Sequence, residues 1–283
     1  MLNISVNTQS LAVQKMYGRK INGSFHGVWS TGGIAGVGFS TLMVALNVPV
    51  NIHFALIACI TLVFTIFFNR YLIPDDRASS GNKITIGKPD PFIFYLGILV
   101  FFAAMCEGGM FDWSGEYFRA VVREEIFTLG YLLFMVCMAL SRFVSDTVIE
   151  RMGIGFTYIF SGSMIMTGIS VALLFPSFWP ALCGFSMVGF GTGAVIPMTY
   201  SLAGSSRKYS PGMALSIIAT YGVAGMLIGP PLIGYISEAS DLRYSFTCFI
   251  LSGFMLIPLS RMFIKVQNSE YQQDYKITGS GRS

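Results

Sequence analysis

Forty-nine consecutive residues between Lys20 and Arg70 contain no Asp, Glu, Lys or Arg, and 55 between Arg151 and Arg207 contain none either. A third such run, of 29, lies between Lys208 and Glu238. A helix rises about 1.5 Å per residue, so about 20 apolar residues cross the roughly 30 Å hydrocarbon core of a bilayer. The two longest runs must each hold two spans. Val48-Pro49-Val50-Asn51 breaks the first, and Pro176-Ser177-Phe178-Trp179-Pro180 breaks the second. Charged residues make up 11% of the chain, against about 25% in ordinary globular domains. A soluble enzyme is excluded, and with 53% hydrophobic residues so is disorder. The sequence predicts an all-α polytopic membrane bundle with eight full spans, at about 21–46, 52–73, 91–113, 126–146, 154–174, 178–203, 211–236 and 244–265. Strict alternation in runs of about ten residues, the mark of a β-barrel, is absent.

Alternate loops carry the basic residues. Fifteen of the 18 lie on one side, from Lys15, Arg19 and Lys20 through Arg142 and Arg151 to Lys276 and Arg282. The other side keeps Arg119, Arg123 and Arg243. This positive-inside bias predicts both termini in the cytosol, for a multi-pass protein of the plasma (inner) membrane. The net charge of +4 is thereby a topology signal and does not point to nucleic acid. All five cysteines fall within predicted spans without zinc-type spacing, so no metal site, cofactor or disulfide framework is expected. No secretory signal peptide is read in the first 20 residues.

A faint internal repeat runs through the chain. Thr31-Gly32-Gly33-Ile34-Ala35-Gly36 echoes Thr220-Tyr221-Gly222-Val223-Ala224-Gly225, Ser10-Leu11-Ala12 echoes Ser201-Leu202-Ala203, and Arg70 with Ile73 echoes Arg261 with Ile264. The offsets are nearly equal and the order is kept. The repeat predicts that Met1–Val13 is the tail of a further membrane helix and that four spans of a twelve-helix plan are mostly missing. The expected organisation is a remnant of a first six-helix half over 1–73, a cytosolic linker over 74–90, a second six-helix half over 91–266 and a flexible tail over 267–283.

Local strings sharpen this plan. Asn7-Thr8-Gln9, Gly18-Arg19 and Phe25-His26-Gly27-Val28-Trp29-Ser30-Thr31-Gly32-Gly33 resemble the fourth-to-fifth helix passage of the major facilitator superfamily, in its fucose-permease-like, rhizopine-transport-like branch. Glu107-Gly108-Gly109-Met110-Phe111-Asp112-Trp113-Ser114 resembles that branch's seventh helix. Ser141-Arg142-Phe143-Val144-Ser145-Asp146, leading to Glu150-Arg151-Met152-Gly153, resembles the eighth-to-ninth passage. The resemblance covers essentially the whole chain. It departs at the loop motif Gly-x-x-x-Asp-Arg, where Arg142 stands at the Gly position and Thr147 at the Arg position. It implies two helix bundles that rock about a central site.

Ionisable groups at membrane depth are costly and mark function by default. Glu107, about 22 Å along its span from Phe92 and hence in the outer third of that span, reads either as a carboxylate that takes and releases a proton or as an interfacial Glu reaching water. Asp112 joins it as a proton-coupling candidate, although Asp112 and Trp113 at the outer boundary read more simply as anchors in the aromatic belt. His26 can hydrogen-bond a hydroxylated solute while Trp29 and Ser30, one turn later, line the same face; the alternative is a histidine bonded to a neighbouring helix. The resemblance puts this position in the central cavity. Tyr200, Thr220 and Tyr221 complete the solute-binding candidates. Arg142 and Asp146, four residues apart, read as a gating latch at the cytosolic end or as a solvated pair. Gly32-x-x-x-Gly36, Gly189-x-x-x-Gly193 and Gly225-x-x-x-Gly229 permit close helix approach.

No metallohydrolase, nucleophile-elbow or phosphate-loop motif occurs, so enzymatic chemistry is not expected. The expected function is secondary active transport of a small polar solute, sugar-like or polyol-like, driven by protons. The lipid bilayer is the other expected partner, and the chain is expected to be monomeric. The competing expectation is a non-transporting membrane fragment or a partner-binding scaffold.

Overall fold

The computed structural model describes residues 2–72, 90–124, 128–206 and 208–279, without the side chains of 2–4, 37, 40, 41, 44, 45, 128 and 270–279. Eleven α-helices follow in order: α1 Leu2–Tyr17, α2 Asn22–Ala45, α3 Val50–Asn69, α4 Pro91–Tyr117, α5 Thr128–Met152, α6 Ile154–Leu174, α7 Phe178–Gly193, α8 Val195–Ala203, α9 Pro211–Ala239, α10 Leu242–Ser245 and α11 Thr247–Gly279. A π-helical turn over Phe118–Val122 prolongs α4. All but one residue of the expected 74–90 linker lie outside the described residues together with Ile73; Asp90 is the last of the linker and directly precedes α4. Over the expected tail, α11 stays helical through Gly279.

Among the described residues, seven helices are long and apolar enough to cross a membrane, one fewer than the eight expected. The exception is the first expected span. It is helical as α2, but Asn22, Ser24, His26, Ser30, Thr31 and four glycines dilute its first half. Two spans run furthest past their expected ends. The helix from Pro91 continues to Val122, and α5 reaches Met152. Charged residues do not stop them, because Asp112, Glu116 and Arg119 are exposed while Ser114, Tyr117 and Phe118 between them are buried.

Helix α4 is the axis of the bundle. It packs against α9, α11 and α5, and α7 joins α5 to α6 on the other side. A Cβ on Gly225 or Gly229 would overlap the backbone carbonyl of Phe101 or Met105, so the small residues of α9 let it lie directly on α4. Gly189 and Gly193 serve α7 in the same way against Phe134 and Met138 of α5. The third motif differs: Gly32 and Gly36 have nothing within 4 Å of a Cβ position. At one end of the bundle Tyr117, Phe185 and Phe246 stack within 5.7 Å of one another, and the Tyr117 hydroxyl donates to the Ala172 carbonyl at 2.7 Å. Helix α3, by contrast, buries none of its residues.

The first two helices dock on this body through α2 against α5 and α1 against α9. The start of α2 explains how. A helix leaves its first backbone N–H groups without intrahelical partners, and here side chains of other helices take them. Gln14 Oε1 of α1 accepts from Ile21 and Asn22, each at 3.1 Å. Asp146 of α5 accepts from Gly23 at 3.0 Å and Ser24 at 2.8 Å, and also from the Ser24 hydroxyl at 2.9 Å. Glu150 adds a contact to the Lys20 amide at 3.3 Å.

Candidate functional site

Near the middle of α5, Arg142 points inward and is 2% exposed. It lies about 21 Å of helical rise from Thr128 and about 15 Å from Met152, so it is deep in the span. Glu107 on α4, also 2% exposed, is about 24 Å from Pro91 and about 22 Å from Val122. The two form an ion pair, Nη2 to Oε1, at 3.0 Å. This corrects two expectations. Glu107 is at mid-helix rather than in the outer third, and Arg142 is a buried residue rather than one of the basic loop residues. The cause in both cases is the extension of α4 and α5 beyond the charges that were read as their ends. Without Arg142 the basic residues still divide 14 to 3 between the two sides.

Two further bonds fix the guanidinium. Its Nε donates to the Gly193 carbonyl at 3.3 Å, and Nη1 donates to the Ser30 hydroxyl. The Gly193 carbonyl is available for a definite reason. Its helical partner would be the N–H of residue 197, four positions on, and Pro197 has none. The sequence therefore breaks α7 from α8 at Ala194 and leaves an acceptor that Arg142 takes. The ring of Trp29, 61% exposed, lies 5.4 Å from the guanidinium carbon. One positive group thus ties together α2, α4, α5 and the α7–α8 break.

The ion pair is net neutral, which is what allows two charges at this depth. It is not fully satisfied. Glu107 Oε2 is buried with no hydrogen-bond partner among the described residues, and so is Ser114 Oγ.

His26 stands beside this cluster, on the turn of α2 that precedes Ser30. Its Nε2 is 2.9 Å from Asn7 Oδ1 of α1, its ring meets Tyr200 edge-on at 5.9 Å, and its carbonyl accepts from the Ser30 hydroxyl at 3.1 Å. His26, Trp29, Ser30 and Tyr200 are therefore gathered around Arg142. Thr220 and Tyr221 are not part of that group. Thr220 is exposed with its hydroxyl turned back to Ser216 at 3.0 Å, and Tyr221 packs its ring over Gly97 of α4. Asp112 is exposed, and the Trp113 indole donates to the Pro230 carbonyl at 3.0 Å, one of the bonds holding α4 to α9. Arg142 and Asp146 do not pair with each other. Arg142 turns to Glu107 while Asp146, 8% exposed, closes the start of α2.

The residues missed in the sequence are Ser10, Gln14 and Asn22. Ser10 donates to Asn22 Oδ1 at 2.8 Å, Asn22 Nδ2 to the Pro197 carbonyl at 2.7 Å, and Gln14 Nε2 to the Ser201 hydroxyl at 2.8 Å. A signal was present. Asn7, Ser10 and Gln14 recur at intervals of three and four, which puts three polar groups on one helix face.

No family model matches the sequence. Curated relatives do. The chain is 29% identical over 255 residues to an uncharacterized MFS-type transporter of Yersinia pestis, covering 88% of this chain and 65% of that protein. It is 28% identical over 258 residues to an uncharacterized transporter of Sinorhizobium fredii, with 89% and 67% covered. It is 29% identical over 268 residues to the membrane protein MosC of Rhizobium meliloti, with 93% and 64% covered. The chain spans about two thirds of the length of these relatives. Its described residues form a helical bundle with seven helices long and apolar enough to cross a membrane, and the chain is similar to membrane transporters, one of them of the major facilitator type.

Proposed function

We propose that this protein is a secondary active transporter that moves a small polar solute of sugar-like or polyol-like character by alternating access, coupled to protons through Glu107. The observation that carries the reading is the Glu107–Arg142 pair. It is buried at mid-depth, its partners come from α2, α4, α5 and the α7–α8 break, and one carboxylate oxygen is left bare. Protonation of Glu107 removes half of the pair, frees Arg142 and loosens the link between α4 and α5. A proton is thereby exchanged for a change in helix contact, which is what coupling requires. His26, Trp29, Ser30 and Tyr200 supply hydrogen-bonding and stacking surface for a solute beside this switch, and Asp112 offers an exposed carboxylate five residues further along α4. Thr220 and Tyr221 on α9 stay solute-binding candidates, apart from that group.

Asp146 acts as the gate in this reading. It holds the first turn of α2 against α5, so its release separates the two elements. The 14-to-3 division of basic residues supports a cytosolic position for this clamp and for both termini. The halves that move are residues through 73 and residues 91–266, joined by the 74–90 linker.

Uptake by proteoliposomes tests the proposal. Glu107→Gln is expected to abolish accumulation driven by a pH gradient while leaving counterflow exchange of the same solute. Driven uptake at the wild-type rate in that variant removes Glu107 from the mechanism. Saturable binding with no flux points to the scaffold reading instead.

A further inference from the structure

We propose that the solute carries one carboxylate, a hydroxy acid or sugar acid, which replaces Glu107 on Arg142 as Glu107 takes up one proton. The inference rests on the transport reading and names its substrate class. Three of the five N–H groups of Arg142 are occupied among the described residues, by Gly193, Ser30 and Glu107. A guanidinium fork prefers a carboxylate that binds through both oxygens. Glu107 binds through one, and its second oxygen, on a side chain 2% exposed, has no partner. Glu107 is therefore an incomplete ligand, held by charge more than by geometry. The exposed Trp29 ring covers the guanidinium on the side of α2, which marks the approach for a competing anion.

Charge decides the rest. A net charge at this depth is expensive, so the site stays neutral in both states. When empty it holds Arg142⁺ and Glu107⁻. When loaded it holds Arg142⁺, the solute carboxylate and Glu107 as the neutral acid. One carboxylate and one proton enter together, the only bond made is the Glu107 O–H formed with the incoming proton, and that O–H can donate to a solute hydroxyl. Other titratable groups around Glu107 are Tyr131 of α5, Tyr200 of α8 and Cys106 beside it on α4, with Cys248 of α11 against Cys106. His26 of α2 faces Arg142. From α9, Tyr221 packs at Gly97, ten residues before Glu107. None of these supplies a second cation to hold the anion.

The test is calorimetric titration of the purified full chain in detergent with lactate, gluconate and glucuronate, beside glycerol, sorbitol and glucose. Buffers of different ionisation enthalpy count the protons. The expected result is binding of at least one acid with uptake of one proton, its affinity rising about tenfold per unit fall in pH while Glu107 is ionised. Glu107→Gln mimics the protonated carboxyl and is expected to bind the same acid with no pH dependence. Glu107→Gln/Arg142→Met keeps the site neutral, so it folds, and is expected to lose binding at least tenfold. Equal binding of acid and neutral partner, binding without proton uptake, or no binding of any acid at any pH overturns the proposal. Counterflow of a neutral polyol leaves the transport reading standing in each of those cases; its absence together with absent acid binding removes both.

Discussion

Replacing Asp146 by Ala separates the start of α2 from α5. The carboxylate accepts from the Gly23 and Ser24 amides and from the Ser24 hydroxyl at 2.8–3.0 Å. Loss of a helix N-cap costs about 1 kcal/mol. Loss of a negative charge from the positive end of a partly buried helix adds about 0.5–1 kcal/mol, and an unmet amide at the buried Gly23 position adds a similar amount. Together these give about 2–3 kcal/mol of local opening free energy. The readout is hydrogen exchange at the Gly23 and Ser24 amides in detergent, where about 2 kcal/mol means exchange about thirtyfold faster. Asp146→Asn keeps one acceptor oxygen and remains a good cap, so it is expected to lose about 1 kcal/mol and accelerate exchange about fivefold. Amides in the middle of α5 should be unaffected by either change. Unaltered exchange at Gly23 and Ser24 in the Ala variant, or equal effects of Ala and Asn, would refute the reasoning.

Arg142→Met alone leaves Glu107 buried without a partner and is expected to lower stability by about 3–5 kcal/mol. The Glu107→Gln/Arg142→Met double variant should recover at least half of that loss in thermal unfolding, and strict additivity would show that the pair is not coupled. Gly189→Ala pushes a methyl group into the Phe134 carbonyl and should cost about 1–3 kcal/mol. Gly36→Ala has open space and should gain about 0.5–1 kcal/mol, so similar melting temperatures for the two would contradict the packing described for α5 and α7. Glu150→Gln removes only a surface pair with Arg19, at 3.8 Å, and should change stability by less than about 1 kcal/mol.

The helices were legible because uncharged length is nearly sufficient to specify a membrane span. Most expected spans lie within a few residues of observed helices, and the break read at Pro176–Pro180 overlaps the connection between α6 and α7, its last three residues opening α7. Depth was harder to read. Asp112, Glu116 and Arg119 look like the end of a span, yet a helix with charges on one face continues when its other face is buried, as Ser114, Tyr117 and Phe118 are. That error put Glu107 and Arg142 on opposite sides of the membrane, although their side chains meet. Their pairing spans 35 positions and no local rule reaches so far. The Arg142–Asp146 spacing gives the opposite lesson. A separation of four makes two side chains neighbours on a helix, but each found a stronger partner on another element. Residues grouped around His26 were found because a polar cluster in an apolar helix stands out by type alone. Thr220 and Tyr221 satisfied that same criterion and lie elsewhere, since residue type does not specify which way a face turns.

Pro197 acts at a distance from its own position. Because it has no amide hydrogen, the carbonyl one turn earlier is answered by a cation from another helix, and the bend in the α7–α8 rod is thereby bound to the pose of that cation. Swinging α8 about Ala194 must either stretch this tether or drag the guanidinium with it. A hinge and a charge are yoked, so a change in the shape of the bundle is also a change in its electric field.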